Sequence, residues 1–153
     1  MQSKHIQVFA LAVFLLTIIF SSPDARAQCK TFVKNSCAPQ LKPYIHDGNY
    51  QAVMMSEGEE AEVFKTIFAG QQYRLLVCVD QALPDVEFVV TDIRRTVLFD
   101  NRKNDNVKFW DFKADASQQI KITIRIPKNK KPSGAERELI FGCVGMLFGL
   151  REQ

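Results

Sequence analysis

The sequence predicts an all-β protein: one antiparallel, jelly-roll-like β-sandwich of about eight strands with a short N-terminal helical or irregular cap. Two observations carry this expectation. Between Glu62 and Ile126 the apolar residues recur with a period of two, most regularly in Ile120-Lys121-Ile122-Thr123-Ile124-Arg125-Ile126. A strand turns successive side chains to opposite faces, so such a run buries one face and wets the other. Turn-forming clusters also punctuate these runs at short intervals, and no sustained helical period follows residue 45.

The first residues read as a signal peptide spanning 1–27. Lys4 and His5 form a basic start, Val8 to Phe20 is almost unbroken apolar chain, and Ser21-Ser22-Pro23 ends it. Ala25-Arg26-Ala27 then supplies a small-x-small cleavage pattern, which makes Gln28 the first mature residue. An apolar helix of that length reaches about 20 Å, short of the roughly 30 Å of a bilayer core. Arg26-Ala27-Gln28 before Cys29 lacks the apolar and small residues of a lipobox. The expected product is exported to the periplasm or cell surface, with no membrane span after cleavage. Of 153 residues, 126 then remain (153 − 27), enough for one core without help from a metal. The formal charge of +3 becomes +2 once Lys4, Asp24 and Arg26 are removed. That balance argues against a nucleic-acid partner.

Residues 28–58 should form a disulfide-containing cap and the first strand, and 59–153 the rest of the sandwich, as one domain. In the cap, Phe32, Val33, Leu41, Tyr44 and Ile45 can pack a short helix or turn onto a sheet. His46-Asp47-Gly48-Asn49 is a turn, because Gly supplies positive φ and Asp and Asn bond local backbone. Strands are expected over 50–55, 62–68, 72–79, 86–91, 96–99, 107–113, 120–126 and 138–150. The run Leu75 to Val79 is apolar throughout, as a strand covered on both faces requires. Gly142, Gly145 and Gly149 mark a bend, a bulge or a close backbone approach in the last strand. Pro127 to Gly134, with Lys128, Lys130 and Lys131, reads as a polar loop.

Four cysteines, Cys29, Cys37, Cys78 and Cys143, follow the cleavage site, and an even count in an exported chain favours disulfides. The favoured pairing is Cys29–Cys37 as a local staple and Cys78–Cys143 between distant strands. It holds only if 29–37 is not a straight helix. In such a helix the two Cα atoms stand about 12 Å apart, and each cysteine must reach into the sandwich instead. No pair has the CxxC spacing of a zinc site, and only two histidines exist.

Ala69-Gly70-Gln71-Gln72-Tyr73-Arg74-Leu75, Val86-Glu87-Phe88-Val89-Val90-Thr91-Asp92, Leu98-Phe99-Asp100-Asn101 and Trp110-Asp111-Phe112 resemble the bacterial pre-peptidase C-terminal (PPC) domain. The resemblance covers about residues 60–150. It implies a jelly-roll-like, non-catalytic sandwich, often an accessory to a secreted enzyme or surface assembly. No catalytic domain precedes it in this sequence, which suggests a stand-alone protein. The chain also looks like small exported proteins of Bacteroidetes-type bacteria, through its paired N-terminal cysteines, His46-Asp47-Gly48 and Gly142-Cys143-Val144.

No residue set is assigned to catalysis and none to a resident metal or cofactor. His46-Asp47 is the only His/carboxylate neighbour pair, and without a nucleophile motif it reads as a turn rather than the base of a small secreted hydrolase. Asp100, Asn101, Asn104, Asp105 and Asn106 form an oxygen-rich loop of the composition calcium uses, although Arg102 and Lys103 interrupt it. Tyr73 and Trp110 are the candidate aromatic contacts for a sugar ring, against a core role. The function expected is a non-enzymatic binding or structural one, with a protein or glycan partner at the cell envelope. A carbohydrate- or calcium-binding module is the alternative.

Overall fold

Eight strands and one two-residue bridge build two antiparallel sheets in the computed structural model, which describes residues 25–128 and 139–151. The expected signal sequence, apart from 25–27, lies outside the described residues, as do Lys130, Lys131 and Glu138. In chain order the strands are β1 (Ile45–His46), β2 (Gln51–Ser56), β3 (Glu60–Ile67), β4 (Gln72–Val79), β5 (Glu87–Asp92), β6 (Val97–Asp100), β7 (Phe109–Lys113), β8 (Gln118–Arg125) and β9 (Phe141–Leu150). One sheet runs β2-β9-β4-β7, with β1 end to end with β2 along the same edge of β9. The other runs β3-β8-β5-β6. Four antiparallel pairs, β2·β9, β3·β8, β4·β7 and β5·β6, nest like a long hairpin rolled up on itself. That is the jelly roll the sequence predicts. The last strand is shorter than expected, since Leu139 and Ile140 precede it outside the ladder.

The core follows from the alternation. Leu75 and Val77 of β4, Phe88 and Val90 of β5, and Ile120, Ile122 and Ile124 of β8 all point between the sheets and are buried. A second cluster lies on the outer face of the β2-β9-β4-β7 sheet, where Leu76, Cys78 and Leu147 meet Val33, Cys37 and Leu41 of the cap. β4 is therefore covered on both faces, as its continuous apolar run requires.

The cap begins as helix α1 (Ala25–Phe32), widens to a π-type turn over Val33–Cys37 and tightens to a 3₁₀ turn over Ala38–Leu41. Cys29, Val33, Cys37 and Leu41, spaced by four, are all buried. A regular helix of about 3.6 residues per turn would rotate that spacing off one face. The wider turn brings it back, so the stripe stays on the sheet. With 29–37 helical, the local staple cannot form, and the cysteine pairing differs from the favoured one. Cys29 bonds Cys143 (Cα–Cα 5.1 Å) and Cys37 bonds Cys78 (Cα–Cα 6.2 Å). Cys78 stands opposite Gly145, not Cys143, and both strand cysteines project towards the helix. Both bridges therefore rivet the cap to the sheet.

Glycine makes room for this contact. A Cβ on Gly145 would lie 2.4 Å from Val33 Cγ2, and one on Gly149 would lie 2.6 Å from Tyr44 Cβ. Of the three roles expected for these glycines, close approach is the one observed. Arg74 clamps the other side of the cap. Its guanidinium lies between the Tyr44 and Phe109 rings, grips both Asp111 oxygens at 2.6 Å and donates to the Lys42 carbonyl.

Candidate functional site

The two flanks of the sandwich are built differently. On one, β6 and β7 are the edge strands, and Phe99 of β6 stacks on Trp110 of β7 at 5.2 Å. The stack continues through Phe112 (3.9 Å from Trp110) to Tyr73 and closes that side with aromatic rings. On the other flank the edges are β2 and β3, with no such closure. There Gln51, Val53 and Met55 of β2 pair across to the inward-facing side of β9, and Ala61, Val63 and Lys65 of β3 face them from the opposite sheet. Met55 is buried, but Val53 keeps 44% of its surface exposed although it faces inward.

A cleft of ≈ 380 Å³ lies between these two edges. Val63, Ile124, Val144 and Met146 line its depth, and Tyr50, Gln51 and Glu62 its rim. At one end the Tyr50 ring packs at a tilt of 38° against His46, with centroids 4.2 Å apart. Asp47 then bridges to Lys65, joining the loop after β1 to the opposite sheet. The Lys65 ammonium also sits 5.1 Å from the centre of the Phe148 ring. Beyond that bridge a second hollow of ≈ 310 Å³ opens between Phe68, Tyr73 and Leu150. A smaller depression of ≈ 230 Å³ on the outer face of the β3-β8-β5-β6 sheet is crossed by the protein's own Lys121–Glu62 ion pair at 2.7 Å.

His46-Asp47-Gly48-Asn49 is the turn that was expected. Asp47 Oδ1 accepts from the Asn49 N–H, His46 Nδ1 accepts from the Gly48 N–H, and Gly48 has φ +91°. His46 Nε2 is buried without a hydrogen-bond partner. A general base needs its nucleophile within that reach, and among the described residues no side chain hydrogen-bonds to either ring nitrogen of His46.

The oxygen-rich loop is brought together, but the side chains of Asp100, Asn101 and Asn104 are committed to the fold. The Asp100 carboxylate takes the Arg102 Nε–H and Nη2–H at 2.9 and 2.7 Å, and the Arg102 guanidinium holds it below the usual carboxylate range. Asn101 is fully buried; its Oδ1 accepts from Phe88 N–H, and its Nδ2 donates to the Val86 and Val107 carbonyls. Asn104 Nδ2 donates to the Asp100 carbonyl. Asp105 and Asn106 turn the chain at positive φ. A calcium ion would have to take Asp100 from Arg102 and Asn101 from β5. Among the described residues, no group of three or more His, Cys, Asp or Glu is placed to hold a metal ion.

The aromatic pair is placed differently from a sugar platform. Tyr73 is only 3% exposed, with its hydroxyl accepting from the Phe68 N–H, and Trp110 is half-buried with Phe99 and Phe112 against its faces. The open β2–β3 flank was not singled out in the sequence. The run Gln51-Ala52-Val53-Met54-Met55-Ser56 is free of charge and proline, but nothing in it says whether the strand lies at an edge.

No family model and no curated protein matches the sequence. Among solved structures, the chain is similar to Aeromonas hydrophila PliG, a periplasmic lysozyme inhibitor of g-type lysozyme. That match has 12% identity, a TM-score of 0.46 and coverage of 70% of this chain and 89% of the other. A serine protease of Aeromonas sobria matches at 10% identity and TM-score 0.32, with 71% of this chain lying on 28% of the protease. Among the described residues, no helix is long and apolar enough to cross a membrane.

Proposed function

We propose that this protein is an exported, non-catalytic β-sandwich that binds a protein partner at the cell envelope through its open flank. The observation that carries this reading is the contrast between the two flanks. One is sealed by rings, while the other leaves an apolar cleft lined by Val63, Ile124, Val144 and Met146 open to solvent. Apolar surface left open beside a polar rim is what an interaction site looks like. The two disulfides support export, because such bonds persist in oxidising compartments. The rolled strand order supports, at the level of fold, the resemblance to PPC domains. The buried Asn101 and the Arg102-bound Asp100 favour a structural over a calcium-binding role for their loop.

A photo-crosslinker at position 53, in protein exposed to envelope extract, tests the reading. It should give a discrete protein adduct, and Val63→Arg, which puts a charge in the cleft, should abolish it while circular dichroism stays unchanged. A crosslinker on the opposite sheet face, at Thr123, serves as the control. Adducts equal at both positions and indifferent to Val63→Arg would remove the flank as the binding site.

A further inference from the structure

The sandwich has four edges, and three of them are guarded against strand addition. β3 carries Glu60 and Glu62 on its exposed face and turns Lys65 inward. β6 is four residues long and sits beside a register shift at Val90/Thr91. β7 bears Asp111 and Lys113, with Asp111 gripped by Arg74. Charges, short length and irregularity are the devices that keep edges from pairing with other chains. β2 has none of them. Its six residues carry no charge and no proline, Val53 and Met54 are exposed, and among the described residues no strand pairs with its far edge. Alternate N–H and C=O groups of β2 therefore point outwards; those of Ser56 are taken by Glu59, and the others are available to a ladder.

A strand added there would lie about 4.8 Å beyond β2 and turn every second side chain into the cleft between the sheets. Those side chains would meet Val53 and Val63, so apolar residues suit the middle positions. Near the β2–β3 turn Glu60 is exposed and has no ion-pair partner among the described residues, while Glu62, which lines the cleft, is already held by Lys121 at 2.7 Å. Glu59 caps the Ser56 N–H, and Lys128 lies over Gly58 at the tip of the turn.

We propose that β2 takes up an extended segment of a partner protein as an additional strand. The segment is apolar at alternate, cleft-facing positions and carries a lysine or arginine at the end that meets Glu60. This is recognition by strand addition, in which main-chain bonds supply affinity and pockets for alternate side chains supply selectivity. It rests on the flank being the binding site and names what enters it.

The test uses the disulfide-intact full chain and the synthetic peptide Lys-Thr-Val-Thr-Val-Thr-Lys, whose lysines and valines share one face. Hydrogen exchange should show new protection at alternate amides within Gln51–Met55, the Ser56 amide being held by Glu59 already. Two N-methylated peptides, one blocked at a valine and one at the central threonine, should differ. Only one set of amides points at β2, so one peptide should bind at least tenfold more weakly and the other near the parent. Replacing both lysines by glutamate should also weaken binding at least tenfold. No binding at millimolar peptide, protection on β3 or β7 instead of β2, or N-methylated peptides that both match the parent would each overturn the proposal. Those failures, with the position-53 adduct still abolished by Val63→Arg, would leave the flank as a site that binds through side chains. Loss of that adduct's specificity would instead remove the site itself.

Discussion

Asn101→Ala is the substitution whose cost the structure defines best. The side chain is fully buried and satisfies two main-chain groups of the β5 entry, taking the Phe88 N–H at 2.8 Å and giving to the Val86 carbonyl at 2.9 Å. Phe88 and Val86 are themselves buried, so water cannot replace the lost partner. Each orphaned group costs about 1–3 kcal/mol, giving about 2–6 kcal/mol for the pair. For a domain of this size that lowers the melting temperature by about 6–25 °C. Thermal unfolding followed by circular dichroism measures it directly. Asn101→Asp sharpens the test, because it keeps the acceptor for Phe88 N–H but turns a carboxylate oxygen on the Val86 carbonyl. Burial and that repulsion raise the folded-state pKa of the new acid. The folded state then holds its proton more tightly than the unfolded chain, so stability is greatest at low pH and is lost as pH rises. The variant should therefore be nearer to wild type at pH 4 than at pH 7. A melting temperature for Asn101→Ala within about 3 °C of wild type would refute this account. So would wild-type protein that melts several degrees higher in millimolar calcium, which would return these oxygens to a metal.

Gly145→Ala should destabilise by about 1–3 kcal/mol through collision with Val33, and Val33→Ala should relieve it. The double mutant should fall short of the sum of the singles by about 0.5–3 kcal/mol, and strict additivity in urea unfolding would deny the contact. A non-reducing peptide map should join Cys29 to Cys143 and Cys37 to Cys78; a Cys29–Cys37 peptide would overturn the helical cap. Loops closed over 114 and 41 residues make each bridge worth about 4–5 kcal/mol in the chain-entropy account, so either Cys→Ser pair should melt far below wild type. The depressed Asp100 pKa means that its unfolded form binds the proton first as pH falls. Its stabilisation is thus complete above the unfolded value of about 3.9 and lost as pH drops through the folded value. Asp100→Asn should be less stable than wild type at pH 7 and show a flatter acid limb; an unchanged limb would count against the Arg102 pairing.

The strands were legible because each of them buries one face, and a two-residue period reports that directly; β8, with Ile120, Ile122 and Ile124 inward, is the clearest case. The doubly covered run of β4 was legible for the same reason, since a strand without polar alternation has no wet face. The disulfide partners were not. Nearness in sequence favoured Cys29–Cys37, while the stripe Cys29, Val33, Cys37, Leu41 already marked a one-sided helix that separates them. The buried role of Asn101 was not legible, because an asparagine in a polar loop looks the same whether its oxygen faces water, a metal or a buried N–H. Only the fold brings it to Phe88. The open flank was hidden for another reason. Whether an edge strand is covered depends on what the roll places opposite it, and no local pattern records that.

Side-chain size explains why one flank seals and the other does not. Packed sheets stand about 10 Å apart, so a flank closes only where inward residues are long enough to meet. Phe99 and Trp110 span that gap from opposite edges. Gln51 and Val53 on one side and Ala61 and Val63 on the other leave ≈ 380 Å³ between them. Larger residues there would bury more apolar surface and are among the easiest stabilising changes a protein can acquire. A gap of this kind, beside the one unguarded edge, is therefore not forced by the roll. The cap sharpens the point: Cys143, opposite Met54 of β2, is bonded to α1, so the strand that presents β2 is itself pinned. A partner strand would meet a template already held in place, and little of its binding energy would go into ordering the protein side.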